Sequence, residues 1–484
     1  MRKVTTILIV LIFCLPLYSI AGEKENELID KVVAAYGGDV LANLSSYRVE
    51  EHYSSITIGQ SHSPQLTEIG HSRSVLIRDL KNNKTVYDNW GTGRTGGFQG
   101  STVTDGEKGQ NVNYQTSTYG DANSPDPYAF AGGTMRTSDS VLVYELNKAR
   151  EGAKLLEDEQ FMNRAHHVLT MPFPLSADLK LYIDAKTFLI SKMNRNNPQF
   201  GDLDYVYSRH EERNGIYHAT ELNFFIAGVP NLISTHRDAS FNFDLPADAF
   251  SIPQNFTQEA DRIDTSEMLV RKISDRVFHI GQGNGFSIFV NTSAGVVAAG
   301  GYAALTARFD RFKQESKVYK PLAYQIVTHH HADHIGGLGE AINLGAQLVT
   351  VDDNVQTIKD GVTPTPNDRD FLKISSRVSL GEGRNRVEVY EVSTIHAARF
   401  LVTYVPSEKM VFIADHMGSP FAQGTPVANA GTVDMLAALE GLNIDIRKIA
   451  TAHNARIFSM QDMRDSVANY KPSVCAGNRP VCSN

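Results

Sequence analysis

From Tyr324 to Thr328 the chain reads as a short apolar strand, and directly after it comes His329-His330-His331-Ala332-Asp333-His334-Ile335-Gly336-Gly337. Imidazole nitrogens and carboxylate oxygens are the ligands that a borderline ion such as Zn2+ prefers. A loop leaving a strand turns alternate side chains inward, so this run can converge on an ion. The spacing H-x-H-x-D-H arises by chance on the order of once in a thousand chains of this size and histidine content, which separates it from a solvated histidine run.

This loop resembles the signature of the metallo-β-lactamase superfamily, in which single metal ligands follow on later strand ends. The chain has such residues in the same order: His396 in "VSTIHAARFLVTYVP", Asp415 in "KMVFIADHM" and His453 in "KIATAHN". The resemblance covers about residues 266–470 and implies an αβ/βα sandwich with metals at one sheet edge. By the same resemblance His329, His331 and His396 bind one ion, Asp333, His334 and His453 bind a second, and Asp415 bridges them. The implied cofactor is zinc, two ions per chain, with iron or manganese as the other ions such a set accepts. The implied chemistry is hydrolysis of a small ester, lactone, thioester or amide by a dinuclear zinc-bound hydroxide, with Asp333 as the catalytic carboxylate that orients the hydroxide and manages its proton.

Other readings stand beside this one. A phosphodiesterase shares the full ligand set, a single-iron oxygenase uses the same histidines, and a periplasmic lipophilic-ligand carrier would keep the metal domain as structure only. Aspartate rather than cysteine at position 415 sets the chain apart from the cysteine-containing zinc β-lactamases. His330 sits at the variable position of the loop, with no ligand role implied, and His279 has none either. His416 faces the metals or turns into the core. Where many members have an aspartate near the end of an early strand, this chain reads "VVAAGGY" (Val296 to Tyr302), so a carboxylate contact is missing or replaced. Arg399 follows His396 closely, which puts it at the mouth or turns it away, and Asn454 follows His453 in place of glycine.

The elements that must position these residues begin near Ser266. Apolar segments at Val277 to Ile280, Phe286 to Val290, Gly295 to Ala299, Tyr324 to Thr328, Gln347 to Val351, Val387 to Val392, Phe400 to Val405 and Met410 to Ala414 read as strands. Helical spacing of Leu305, Phe309 and Phe312 and a last helix after Ser459, capped with Asp462, make this an α/β region over residues 266–474.

Residues 22–258 differ in texture. Leu28, Ile29, Val32, Val33 and Tyr36 recur at helical spacing within Glu27 to about Leu44, with Gly37-Gly38 as a stop. Beyond them, alternation such as Leu179 to Ile183, a turn at Asp184 to Thr187 and a strand at Phe188 to Met193 predict an antiparallel β-rich domain. Asn89 to Gly133, rich in Gly, Ser, Thr and Asn and holding Trp90, reads as long loops or irregular hairpins. The helix, the meandering strands and "FNFDLPADAFSIP" (Phe241 to Pro253) weakly resemble the curved sheets of periplasmic lipoprotein carriers.

Residues 1–21 read as an export signal: Arg2 and Lys3, the apolar stretch Val4 to Leu17, and small residues at Ser19 and Ala21 for cleavage before Gly22. Cys475 and Cys482 in the tail, residues 475–484, then suit a disulfide in an oxidising compartment, periplasmic or secreted. A net charge of −8, with Lys and Arg scattered, offers no field for a nucleic-acid polymer, and no apolar run of about 18 residues beyond the N-terminus supports a membrane span. The expected partner is a small-molecule substrate, and the oligomeric state is unknown from sequence.

Overall fold

Residues that alternate between two apolar surfaces along successive strands must be covered on both sides, and the C-terminal half of the chain is built that way. The computed structural model describes residues 22–57, 59–94, 96–105, 107–122, 138–172, 178–197, 201–246, 248–472, 475 and 480–482. They fall into two compact units, neither contiguous in sequence. The proposed export signal over residues 1–21 lies outside the described residues.

The unit that carries the metal loop comprises Glu50–Val75, Thr85–Asn123 and Asp248–Asn484. One of its sheets has seven strands in the order Leu269–Lys272, Val277–Gln282, Gly285–Thr292, Gly295–Ala299, Leu322–Ile326, Gln347–Thr350 and Phe371–Lys373. The first four pair antiparallel and the last three add in parallel, with helices Leu305–Ser316, Leu338–Asn343 and Val355–Gly361 as crossovers. The six-stranded sheet runs Arg377–Leu380, Val387–Val392, Phe400–Val405, Met410–Phe412, Lys448–Ala450 and Phe458–Ser459.

The two faces of the first sheet are separated residue by residue. Val277, Ile288, Val290, Val297 and Ala299 share a core with Val387, Val389, Val402, Phe412 and Ile449 of the second sheet. Their neighbours Phe278, Ile280, Phe289, Val296 and Ala298 pack on Leu305, Phe309, Phe312 and Leu338 of the helices. Each buried valine, leucine, isoleucine or phenylalanine of this set contributes roughly 1.5–3 kcal/mol, so the frame behind the metal loop has its own core. Helix Met460–Ala468 begins as expected: Ser459 accepts from the Asp462 N–H, and the Asp462 carboxylate accepts from the Ser459 N–H.

Strands Lys84–Gly93, Gly96–Thr104, Gly109–Asn113 and Thr118–Asp121 form a regular antiparallel ladder, extended by Thr257–Gln258 in parallel. Of the two expectations from Asn89, long loops or irregular hairpins, the described residues form hairpins, and regular ones. Polar residues occupy both faces of these strands, so the ladder leaves no alternating apolar signal; residues 123–133 of that stretch lie outside the described residues.

The other unit takes the described residues within Met1–Val49, Leu76–Lys84 and Ser124–Ala247. Its antiparallel strands run in the order Val229–Phe241, Ile216–Ile226, Gly201–Arg213, Ile190–Asn197, Leu179–Asp184, Arg164–Met171 and Lys154–Leu155. Helix Glu23–Tyr36 buries Leu28, Ile29, Val32, Val33 and Tyr36 and stops at Gly37, whose φ of 126° suits glycine. A separate turn of helix, Asp39–Ala42, follows the glycine stop. A helix at Asp139–Lys148, not expected from the pattern, packs beside it.

Cys475 and Cys482 are disulfide-bonded with Cα atoms 5.5 Å apart. Among the described residues no helix is long and apolar enough to cross a membrane.

Candidate metal centre

The strand Leu322–Ile326 ends before the histidines, and residues 327–331 leave it in non-helical backbone before the short helix Ala332–Ile335. That exit needs close backbone approach. A Cβ on Gly301 would stand 2.3 Å from the His334 carbonyl oxygen, and one on Gly337 would stand 2.0 Å from that of Tyr302. The Gly337 N–H instead donates to the Gly301 carbonyl at 2.7 Å. The paired glycines of "AGGY" and "HIGG" thus seat the loop against the turn that presents Tyr302.

Two groups of side chains come together there. His329, His331, His396 and Asp415 offer ligand atoms all within 4.8 Å of one another, as do Asp333, His334 and His453. Asp415 faces both groups. Its Oδ2 lies 2.7 Å from His396 Nε2, 3.0 Å from His334 Nε2 and 3.2 Å from His329 Nε2, while Oδ1 lies 2.8 Å from both His334 Nε2 and His453 Nε2. Asp415 follows Ala414, a buried residue held at φ 44°, a left-handed conformation that costs energy for alanine and aims the carboxylate.

The geometry fits a bound cation better than a hydrogen-bond network. Asp415 Oδ1 has two imidazole nitrogens at 2.8 Å yet makes no hydrogen bond of acceptable angle. His329 Nε2 and His396 Nε2 approach to 3.2 Å, close to the about 3.3 Å that separates neighbouring ligands of one tetrahedral Zn2+. The other ring nitrogens of His331, His453 and His329 are committed elsewhere, while the buried Nδ1 of His334 has no hydrogen-bond partner among the described residues. His331 donates from Nε2 to the Ser61 carbonyl at 2.9 Å, which leaves its buried Nδ1 with a bare lone pair. His453 donates from Nδ1 to the Asn284 carbonyl at 3.1 Å, and His329 Nδ1 sits 3.1 Å from the Thr328 hydroxyl. Such outer partners fix the tautomer of a ligating histidine.

Charge follows the same pattern. Burial, joined by neighbouring His334, holds His329 well below the ordinary imidazole range, and burial beside His396 brings His331 down to about 3, so both rings are neutral at physiological pH. Burial opposes the charge on Asp415, but His334, His329 and His396 outweigh it and keep the carboxyl well below its usual range. On Asp333 burial is likewise outweighed, by His334, Tyr302 and Gln60.

His330 is buried, with its Nε2 unpartnered, and belongs to neither group. His416 turns into the core, its Nδ1 3.1 Å from the Ile413 carbonyl and its Nε2 3.0 Å from the Thr394 hydroxyl, and burial lowers it to about 3. Arg399 turns away to Glu391 and Asp353. Asn454 accepts from the Ser419 N–H. His279 is a core residue bonded to the Thr451 carbonyl and stacked on Phe286.

Tyr302 is the residue that motif reasoning missed. Its hydroxyl donates to Asp333 Oδ2 at 2.6 Å and lies 2.9 Å from His453 Nδ1 and 3.2 Å from His453 Nε2. It lies at the end of the "VVAAGGY" segment, Val296 to Tyr302, and gives Asp333 a phenol partner. Burial and the adjacent Asp333 push that phenol upward, which keeps it protonated as a donor. Beside His453 a cavity of about 470 Å3 opens, lined among others by Arg262, Asn284, Ser419 and Asn454.

No family model matches the chain, and no curated protein matches it. Among solved structures it is similar to a metallo-beta-lactamase from Pontibacter korlensis, with 20% identity and a TM-score of 0.35 over 42% of this chain and 98% of that one. It is similar to the DIM-1 metallo-beta-lactamase at 13% identity and a TM-score of 0.32, over 42% of this chain and 96% of that one. The metal-soaked Flv1 flavodiiron core from Synechocystis sp. PCC6803 gives 11% identity and a TM-score of 0.34, over 42% of this chain and 61% of that one.

Proposed function

We propose that the chain is a dinuclear metal-dependent hydrolase built on an αβ/βα metallo-β-lactamase sandwich. In this reading His329, His331 and His396 hold one ion, Asp333, His334 and His453 hold the other, and Asp415 is shared. The observation that carries it is the position of Asp415, whose two oxygens lie within 3.2 Å of imidazoles from both groups. When bound, two zinc ions supply a nucleophilic water at neutral pH and polarise the electrophilic oxygen of the substrate. Asp333, an ionised carboxylate beside the shared space, takes up the proton of the attacking water. Tyr302 keeps that carboxylate turned inward through its hydroxyl.

The cavity beside His453 has a volume suited to a small molecule, which supports a small ester, lactone, thioester or amide as the substrate. The tail disulfide is compatible with action in the periplasm or outside the cell. Metal analysis of the purified protein with a panel of lactone, thioester, β-lactam and phosphodiester substrates tests the reading. Two zinc ions per chain with acyl hydrolysis is the expected result. Iron with oxygen consumption, or turnover of phosphodiesters alone, would replace it.

A further inference from the structure

Among the described residues, the segment Gly59 to His62 of the same unit lies against the metal loop. The Ala332 N–H donates to the Gly59 carbonyl at 3.0 Å, Gln60 Nε2 donates to Asp333 Oδ1 at 2.8 Å, and His331 Nε2 donates to the Ser61 carbonyl at 2.9 Å. His62 reaches the loop that carries His396: its Nε2 donates to the Thr394 carbonyl at 2.9 Å, and its own carbonyl accepts from the Ala398 N–H at 2.8 Å. The segment is anchored in turn. Arg94 donates to the Gln60 carbonyl at 3.0 Å and pairs with Glu68 at 3.3 Å, and Glu68 accepts from the His62 N–H at 2.8 Å.

We propose that residues 59–62 are the orienting strap of the metal centre, with Gln60 and Tyr302 as the positioning residues that fix the two oxygens of Asp333. The inference rests on the metal reading above and extends it to a part of the chain that carries no ligand. A carbonyl oxygen only accepts, so Ser61 forces the proton of His331 onto Nε2 and turns the lone pair of Nδ1 inward. A lone carboxylate rotates about its χ angles. Asp333 does not, because Gln60 occupies Oδ1 and Tyr302, at 2.6 Å, occupies Oδ2. The remaining lone-pair directions of Oδ2 face His334 at 3.4 Å and His453 at 3.6 Å, the two imidazoles of its own group.

Titration of the metal-free full chain with Co2+, followed by its visible absorption, tests this without any assay of turnover. Gln60→Leu removes the donor and keeps most of the volume. It should weaken one of two Co2+ equivalents about 10- to 100-fold, alter the spectrum of that equivalent, and leave the melting temperature of the metal-free protein unchanged. Tyr302→Phe should weaken the same equivalent, since it acts on the same carboxylate. Should Gln60→Leu fail to fold, the isosteric Gln60→Glu serves instead, because a second carboxylate facing Asp333 repels rather than holds it. Wild-type affinity and spectrum for both equivalents in the Gln60 and Tyr302 variants would overturn the strap alone. A wild-type chain that binds fewer than two Co2+ would overturn the metal reading, and the strap with it.

Discussion

A histidine ligates a cation only through a bare lone pair, and the two ring nitrogens of each histidine in this chain divide the work differently. His331 gives Nε2 to Ser61 and keeps Nδ1, whereas His453 gives Nδ1 to Asn284 and keeps Nε2. His416 gives both and turns inward. Residue types and their order made His329, His331, Asp333, His334, His396, Asp415 and His453 legible in the sequence. Tyr302 and Gln60 were not, because phenol and amide have no metal spacing and stand 31 and 273 positions from Asp333. His279 is a buried histidine away from the metal groups. Burial lowers it to about 4, so below the unfolded value of about 6.5 the unfolded chain binds a proton that the folded chain refuses. Stability therefore falls as pH drops from about 6.5 to about 4, with a slope approaching about 1.4 kcal/mol per pH unit from this group. His279→Gln should flatten the melting temperature against pH in that window, and an unchanged profile would show that His279 does not titrate with unfolding.

Elements were legible where packing forces a pattern. Gly295–Ala299, Val387–Val392 and Phe400–Val405 are apolar runs between buried faces, and their bounds match the sequence reading. Helix Ala430–Gly441 was not, since its alanines, glycines and leucines leave no clear polar face. The strands before the metal residues also end sooner than their apolar runs, at Ile326 and Phe412, because the chain must leave the sheet to turn side chains inward. Paired glycines make that exit feasible. Gly301→Ala places a Cβ 2.3 Å from the His334 carbonyl. Such overpacking costs typically about 1–3 kcal/mol, and the strain falls on the backbone of His334. We expect Gly301→Ala to fold with a lower melting temperature and to lose metal content, as read by elemental analysis. Full metal content in the folded variant would mean that the loop has room to shift.

At the scale of the whole molecule, the chain-order reading separated residues 22–258 from 266–474, while the compact units interleave and draw residues 50–75 and 85–123 together with 248–484. Local periodicity holds no information on such long-range pairing, which is why Gln60 and Ser61 were invisible beside Asp333 and His331. The weak likeness to lipoprotein carriers rested on the same local pattern. Metal should couple to the stability of the unit that holds it, since ligands drawn from residues 329 to 453 gather only in the folded state. At a free ion concentration 100 times the dissociation constant, one site adds about 2.7 kcal/mol. The melting temperature should accordingly rise on zinc loading and return to the metal-free value with a chelator; no shift in either direction would detach the ion from the folded site.

In the proposed reading Asp415 serves two ions at once, and the metal stoichiometry of purified Asp415→Ala against wild type is the decisive readout. Wild type should hold two ions per chain. The variant should keep its fold on the core behind the loop, fall clearly below two ions, and lose turnover by about 10²-fold or more. Two tightly held ions and full activity in Asp415→Ala would contradict the account.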